Sequence, residues 1–112
     1  MRYEGVNESD WKTLRKHLPE WQEEFMARLC REYAALLSNE EMLPSARLWA
    51  LDERIQKDKE LSGVSVQMSR SRMYLIIQNL LMEDVITLND LTGFSAELQD
   101  HMRRFMEPVE NE

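Results

Sequence analysis

The most regular feature of the chain is a helical spacing of its hydrophobic residues, which recurs in separate segments along most of its length. Apolar positions three and four residues apart return to the same side of a helix, which turns once in about 3.6 residues. Short polar stretches containing glycine or proline separate these segments. The pattern predicts an all-α protein, a compact bundle of about five helices plus a short helical turn near 88–92.

The first 38 residues are predicted to form two helices, one on either side of Pro19. Asn7 to Asp10 offer side-chain oxygens to the unpaired N–H groups at the start of the first helix. Pro19 suits the first turn of the second helix, 19–38, because it has no N–H group to leave unpaired there. The apolar face of the first helix contains Trp11, Leu14 and Leu18. The apolar face of the second contains Trp21, Phe25, Leu29, Tyr33, Leu36 and Leu37.

Three further helical segments are predicted after the first two. One opens at Leu43-Pro44-Ser45 and ends by Ser62-Gly63, and it has a narrow apolar seam of Leu48, Leu51 and Ile55. Residues 64–68 alternate with period two, which allows a short extended stretch. Ser95 is the expected N-cap of the last helix, which Pro108 ends.

The decapeptide Met73 to Met82 has no charged residue and is the most hydrophobic stretch of the chain. It is too short to span a bilayer, which needs about 20 apolar residues. Leu75 and Met82 widen its apolar face, so this helix is predicted to be surrounded by other helices, with no room for a reaction centre. The face itself is formed by Met73, Ile76, Ile77, Leu80 and Leu81.

Length and charge restrict the class of protein. The 112 residues predict one domain, 1–112, with 1–6 and 109–112 frayed. The net charge is −7, and residues 83–112 contain eight acidic and two basic side chains, which disfavours nucleic acid. The polar, acidic start does not resemble a signal peptide, and no segment has the length of a membrane span. A cytoplasmic protein that does not enter a membrane is therefore expected.

The residues that usually carry chemistry are scarce. Cys30 is the single cysteine, and a buried structural thiol is favoured over a reactive or metal-binding one. His17 and His101 have no second ligand at metal-binding spacing, and most carboxylates are accounted for by helix starts or solvent-facing positions. No enzymatic activity and no cofactor or metal is predicted. An enzyme that used Glu83, Asp84 or His101 would require a deep pocket.

The aromatic and methionine residues favour a binding function. Three tryptophans cannot all be deeply buried in so small a domain, and methionine is frequent on adaptable binding surfaces. The predicted function is a non-enzymatic accessory or regulatory module acting by protein–protein contact through Trp49, Met26 and Tyr74, with homodimerisation left open. Alternatively, the methionines beside the main stripes only thicken the core. These are Met26, Met42, Met68 and Met106.

A small nucleic-acid-associated regulator is the alternative function. Residues 63–82 contain two basic and no acidic side chains, and the helix followed by a turn and a short helix is similar in outline to a helix-turn-helix. The short helix 88–92 is acidic and too short to fill a major groove, which makes nucleic acid the less favoured partner. The polyanion-binding residues would be Arg70, Arg72, Arg103 and Arg104.

Two stretches resemble small uncharacterised all-helical bacterial proteins of about 110 residues. The first runs from Asp10-Trp11-Lys12 and Leu18-Pro19-Glu20-Trp21 through Leu36-Leu37. The second runs from Asp84 to Leu91 and continues with Gly93-Phe94-Ser95 and Glu97-Leu98. The resemblance implies an all-helical fold and brings no catalytic residue or mechanism.

Overall fold

The described part of the chain consists of four α-helices and two short 3-10 turns. The computed structural model describes residues 7–108, so the predicted fraying of 1–6 and 109–112 lies outside the described residues. Within 7–108 there is no β-strand, and residues 64–68 are irregular. The all-α prediction is confirmed. The helices are α1 (Glu8–Leu37), α2 (Pro44–Asp58), α3 (Met73–Met82) and α4 (Ala96–Phe105), and the 3-10 turns are Arg70–Arg72 and Leu88–Leu91.

The predicted count of about five helices is wrong because Pro19 does not separate two of them. Pro19 lies inside α1, which runs without a break for 30 residues. Pro19 and Arg15 are both exposed, so water can satisfy the Arg15 carbonyl, which receives no helical hydrogen bond from proline. The buried face keeps its spacing of three and four residues across the proline and holds the helix together. That face consists of Trp11, Leu14, Leu18, Trp21, Phe25 and Leu29.

The hydrophobic core lies between the N-terminal half of α1, α3, the 88–94 segment and α4. The predicted face of α3 is buried, with Ile77 and Leu80 completely inaccessible. The core also contains Leu91 and Phe94 from the segment before α4, and Leu98 and Met102 from α4 itself. Burial of these side chains supplies the main favourable free energy of folding.

The prediction that other helices surround α3 is wrong. Leu75 is 43% exposed and Met82 is 68% exposed, so one side of α3 faces solvent. The physical reason lies in α2, which packs along the C-terminal half of α1 and not on α3. α3 is covered by α1, α4 and the 88–94 segment, which leave one of its sides accessible.

A buried carboxylate joins the start of α1 to the start of α4. Asp10 accepts hydrogen bonds from the backbone N–H of Ser95 (2.7 Å) and from its hydroxyl (2.6 Å). The Ser95 hydroxyl in turn accepts from the N–H of Leu98, which confirms Ser95 as the N-cap of α4. Thr87 and Asp90 form a capping box at the start of the Leu88–Leu91 turn.

The C-terminal part of α1 and the whole of α2 form an antiparallel helical hairpin that extends from this core. We define the hairpin as residues 26–59. The Cα radius of gyration is 17.4 Å and the longest extent is 56 Å. A compact chain of this length has a radius of about 13 Å. The predicted compact bundle is therefore wrong, and the molecule is a small core with a projecting arm.

Candidate functional site

Polar contacts hold the two helices of the hairpin together. The Tyr33 hydroxyl donates to a carboxylate oxygen of Asp58 over 2.6 Å. Arg54 donates to Glu32 over 2.8 Å and lies 5.3 Å from the centre of the Tyr33 ring. Hydrogen bonds that include a charged group are stronger than neutral ones, so this network fixes the relative position of α1 and α2.

Tyr33 and Arg54 each keep one protonation state across the neutral range. Burial raises the pKa of the Tyr33 hydroxyl to about 12, and the hydrogen bond and negative charge of Asp58 add to the effect. The pKa of Arg54 is raised, chiefly by its hydrogen bond to Glu32. The tyrosine thus stays a neutral donor and the arginine stays a cation.

α2 contributes very little to the hydrophobic interior. Along its full described length, the only fully buried residue is Asp58. Trp49 is 67% exposed and Leu48 is 58% exposed, while Leu51 and Ile55 are half-buried. A 15-residue helix that leaves its apolar side chains accessible is typical of an element that contacts another molecule.

One side of the hairpin carries a continuous set of apolar side chains, which we call the hairpin face. A cleft of about 210 Å³ joins α1 to α2 on this side, and its wall includes Cys30, Tyr33 and Ile55. Arg47 donates to the carbonyl of Leu37 over 2.8 Å, so the start of α2 lies beside the end of α1. Leu48 is seven residues before Ile55, which puts both on the same side of α2. Helical spacing of 4, 7 and 11 residues keeps the α1 members on one side. The hairpin face consists of Met26, Cys30, Tyr33, Leu37, Leu48 and Ile55.

The prediction of a buried structural thiol is wrong, because Cys30 is exposed. Its neighbour Leu29 takes the inward position on α1, and one residue further along a helix is a rotation of about 100°. The Cys30 side chain consequently lines the cleft together with Met26 and Tyr33.

The three residues predicted as a partner-binding patch lie in different places. Met26 belongs to the hairpin face, and Trp49 lies on α2, about 100° round that helix from Leu48. Tyr74 packs against the core and meets His101 edge to face, with 4.7 Å between ring centres. Burial also raises the pKa of Tyr74. The structure therefore keeps Met26 and Trp49 on the hairpin and separates Tyr74 from them.

The tryptophans and methionines follow two different patterns of burial. Trp11 and Trp21 are buried while Trp49 is exposed, which confirms that the three are not all in the core. The four methionines interpreted as possible core residues are not fully buried. Met26 and Met42 are half-buried, and Met68 and Met106 are exposed.

The four arginines of the alternative function are mostly engaged by carboxylates. Arg70 pairs with Glu8 at 3.1 Å and lies over the Trp11 ring. Arg103 and Arg104 both pair with Asp100, at 3.2 and 3.3 Å. Arg72 borders a polar cleft whose wall also contains Glu60. Neighbouring carboxylates reduce the positive potential that a polyanion would meet.

The residues considered for acid–base chemistry have structural contacts. Glu83 accepts from the backbone N–H of Ser62 over 2.7 Å, and the Asp84 carbonyl accepts from Arg28 over 2.7 Å. His101 meets the Tyr74 ring edge to face and lies 3.3 Å from the Gln78 amide. Within residues 7–108, no group of three or more His, Cys, Asp or Glu side chains is placed to hold a metal ion.

None of the helices in the described part of the chain combines the length and hydrophobicity of a membrane span. Comparisons of the chain with protein-family models, with curated proteins and with solved structures found no match. The functional site therefore has to be argued from its own geometry.

Sequence reasoning missed most of the hairpin face. A signal was present in α2, whose seam of Leu48, Leu51 and Ile55 is narrow. A helix with so narrow an apolar stripe can bury it against one or two neighbours only, so it is a poor candidate for the middle of a bundle. Nothing in the spacing alone shows that the α1 half of the face lies beside it.

Proposed function

We propose that this protein is a non-enzymatic accessory or regulatory module of the cytoplasm that acts by protein–protein contact, with the hairpin as its contact element. The observation that carries the proposal is the exposure of the apolar side chains of α2, above all Leu48 and Trp49. Contiguous exposed apolar surface on a folded domain marks interaction sites more often than isolated exposed residues do.

The rigidity of the hairpin supports the same proposal. The Tyr33–Asp58–Arg54 network holds α1 and α2 in register before any partner arrives. A preformed surface loses less conformational entropy on binding than a flexible one, so more of the interaction energy appears as affinity. The hairpin face is thus organised in advance for a helical or other apolar partner surface.

The structural contacts of Asp58 support a non-enzymatic role. Asp58, the buried carboxylate at the cleft, is held by both Tyr33 and Arg54. Both donors reach the same oxygen, Oδ2, so this carboxylate serves to join α1 to α2.

Affinity capture with paired variants tests the contact function. Leu48→Glu places a charge in the hairpin face, while Ala46→Glu adds the same charge to an exposed position about 160° round the same helix. We expect proteins captured from the cell of origin by the native chain to be retained by Ala46→Glu and lost by Leu48→Glu. Capture that is identical for all three chains would contradict the proposal.

A further inference from the structure

We propose that the hairpin face binds a second copy of this chain, so that two hairpins pack face to face as an antiparallel four-helix bundle. This inference rests on the proposed function and names the partner. The observation behind it is that one face carries a protruding part and a recess at opposite ends. Leu48 protrudes near the tip of the hairpin, and the cleft lined by Met26 and Cys30 lies toward its base.

This arrangement is self-complementary in a twofold dimer. In such a dimer the same patch is used twice, and each residue pairs with a different position on the other copy. When two hairpins lie antiparallel, the tip of each covers the base of the other. Leu37 and Leu48 of one copy then cover the cleft beside Cys30 of the second, and the reverse contact forms at the other end.

The charge distribution permits this approach. The hairpin, residues 26–59, contains six basic and six acidic side chains and is neutral overall. The remaining residues contain eight basic and fifteen acidic side chains and carry the whole net charge of −7. The negatively charged residues outside the hairpin would make two copies repel each other. The neutral hairpins can approach without repulsion between like charges.

The size of the face indicates a reversible dimer. Met26 and Leu37 are separated by about 16 Å along α1, and two adjacent helices are about 20 Å wide. A face of these dimensions covers about 320 Å², less than half of the roughly 800 Å² that a stable interface buries on each partner, so it supports weak association only. We therefore expect association in the micromolar range, where the fraction of dimer changes with the concentration of the protein.

Cys30 is a native reporter of this contact. It is the single cysteine of the chain, it is exposed, and it lines the cleft that the second copy would cover. A thiol covered by Leu48 of the second copy reacts more slowly with a soluble disulfide reagent. Sedimentation thus measures the oligomeric state, and the rate of labelling at Cys30 shows separately where the interface lies.

Sedimentation equilibrium and thiol-labelling kinetics on the full chain test the proposal. We expect the native chain and Ala46→Glu to shift from monomer to dimer mass across the micromolar range, with Cys30 labelling slowing several-fold in parallel. Leu48→Glu should weaken association by about tenfold or more and keep the labelling rate constant. The circular dichroism of both variants should match that of the native chain, because Leu48 and Ala46 are exposed.

Two results would overturn the dimer. One is a native chain that remains monomeric up to several hundred micromolar, and the other is a dimer whose Cys30 labels at a constant rate. A monomer that still captures other proteins through Leu48 would remove the dimer and leave the contact function standing. A monomer whose captured proteins are insensitive to Leu48→Glu would remove both.

Discussion

At the scale of single residues, the hairpin leaves the core at a point where the backbone packs directly on α1. Gly63 is buried there, and the Phe25 ring occupies the space where a side chain would begin. The adjacent Ser62 is held on both sides, since its carbonyl accepts from Gln22 and its N–H donates to Glu83. The sequence predicts that Ser62-Gly63 ends the preceding helix, but α2 already ends at Asp58 with Lys59 as its C-cap. The contact with Phe25 is therefore the reason for glycine at this position.

Gly63→Ala should destabilise the protein by about 1–3 kcal/mol, because the new methyl group overlaps the Phe25 ring and one of the two must move. The measurement is urea unfolding followed by circular dichroism. Gly93→Ala is the matched control, since its Cβ would come no closer than 3.9 Å to Thr13. That substitution should be neutral or slightly stabilising. Equal effects of the two substitutions would show that space at Gly63 is not limiting.

Tyr33→Phe should lower the free energy of unfolding by about 1 kcal/mol near neutral pH, because it removes the hydrogen bond to Asp58. The pKa of Tyr33 is raised from 10.0 to about 12 in the folded state. Its contribution is therefore fully present below pH 10 and is lost as the pH rises toward 12. Urea unfolding of both chains at several alkaline pH values should show their difference shrinking in that window. A difference independent of pH would contradict the assignment.

At the scale of elements, α1 shows how tertiary packing overrides a local signal. Proline in the interior of a helix removes one hydrogen bond and crowds the preceding turn. In α1 this cost is offset by a buried face that continues from Leu18 to Trp21 on the two sides of Pro19. The long helix carries the hairpin away from the core, because its last turns pack against α2.

Pro19→Ala should stabilise the protein by about 1–3 kcal/mol, since alanine restores the N–H donor to the Arg15 carbonyl and has the highest helix propensity. Pro19 is exposed, so the substitution removes no core contact. Thermal and urea unfolding measure the change. A loss of stability would mean that the packing of Leu18 and Trp21 depends on a bend at the proline.

At the scale of the whole molecule, the hairpin differs from the rest of the chain in both shape and net charge. The residues outside the hairpin carry the entire net negative charge, and the neutral hairpin carries the accessible apolar face. Negative charge outside the hairpin favours solubility and makes these parts of two copies repel each other. Contact is therefore expected at the hairpin. This division favours a protein partner over nucleic acid.

The native chain should pass through a heparin column at low salt with little retention. Its net charge is −7, and Arg70, Arg103 and Arg104 each lie within ion-pair distance of a carboxylate. Neutralised arginines release few counterions from a polyanion, which removes the main source of non-specific affinity. Strong retention that disappears at moderate salt and is reduced by Arg103→Ala would instead support the nucleic-acid alternative.

The sequence by itself determined the all-α class and the buried face of α3, through the spacing of apolar residues. It also determined the N-cap Ser95, through the type of residue, and the exposure of one tryptophan, through the size of the domain. These features depend on contacts within a few residues or on the balance between apolar and polar surface, which the sequence contains directly. The tertiary structure alone decided that α1 continues through Pro19, that Cys30 is exposed, and that α2 packs on the far half of α1. These outcomes depend on which elements become neighbours, because the same apolar stripe is buried against one partner and left accessible without it.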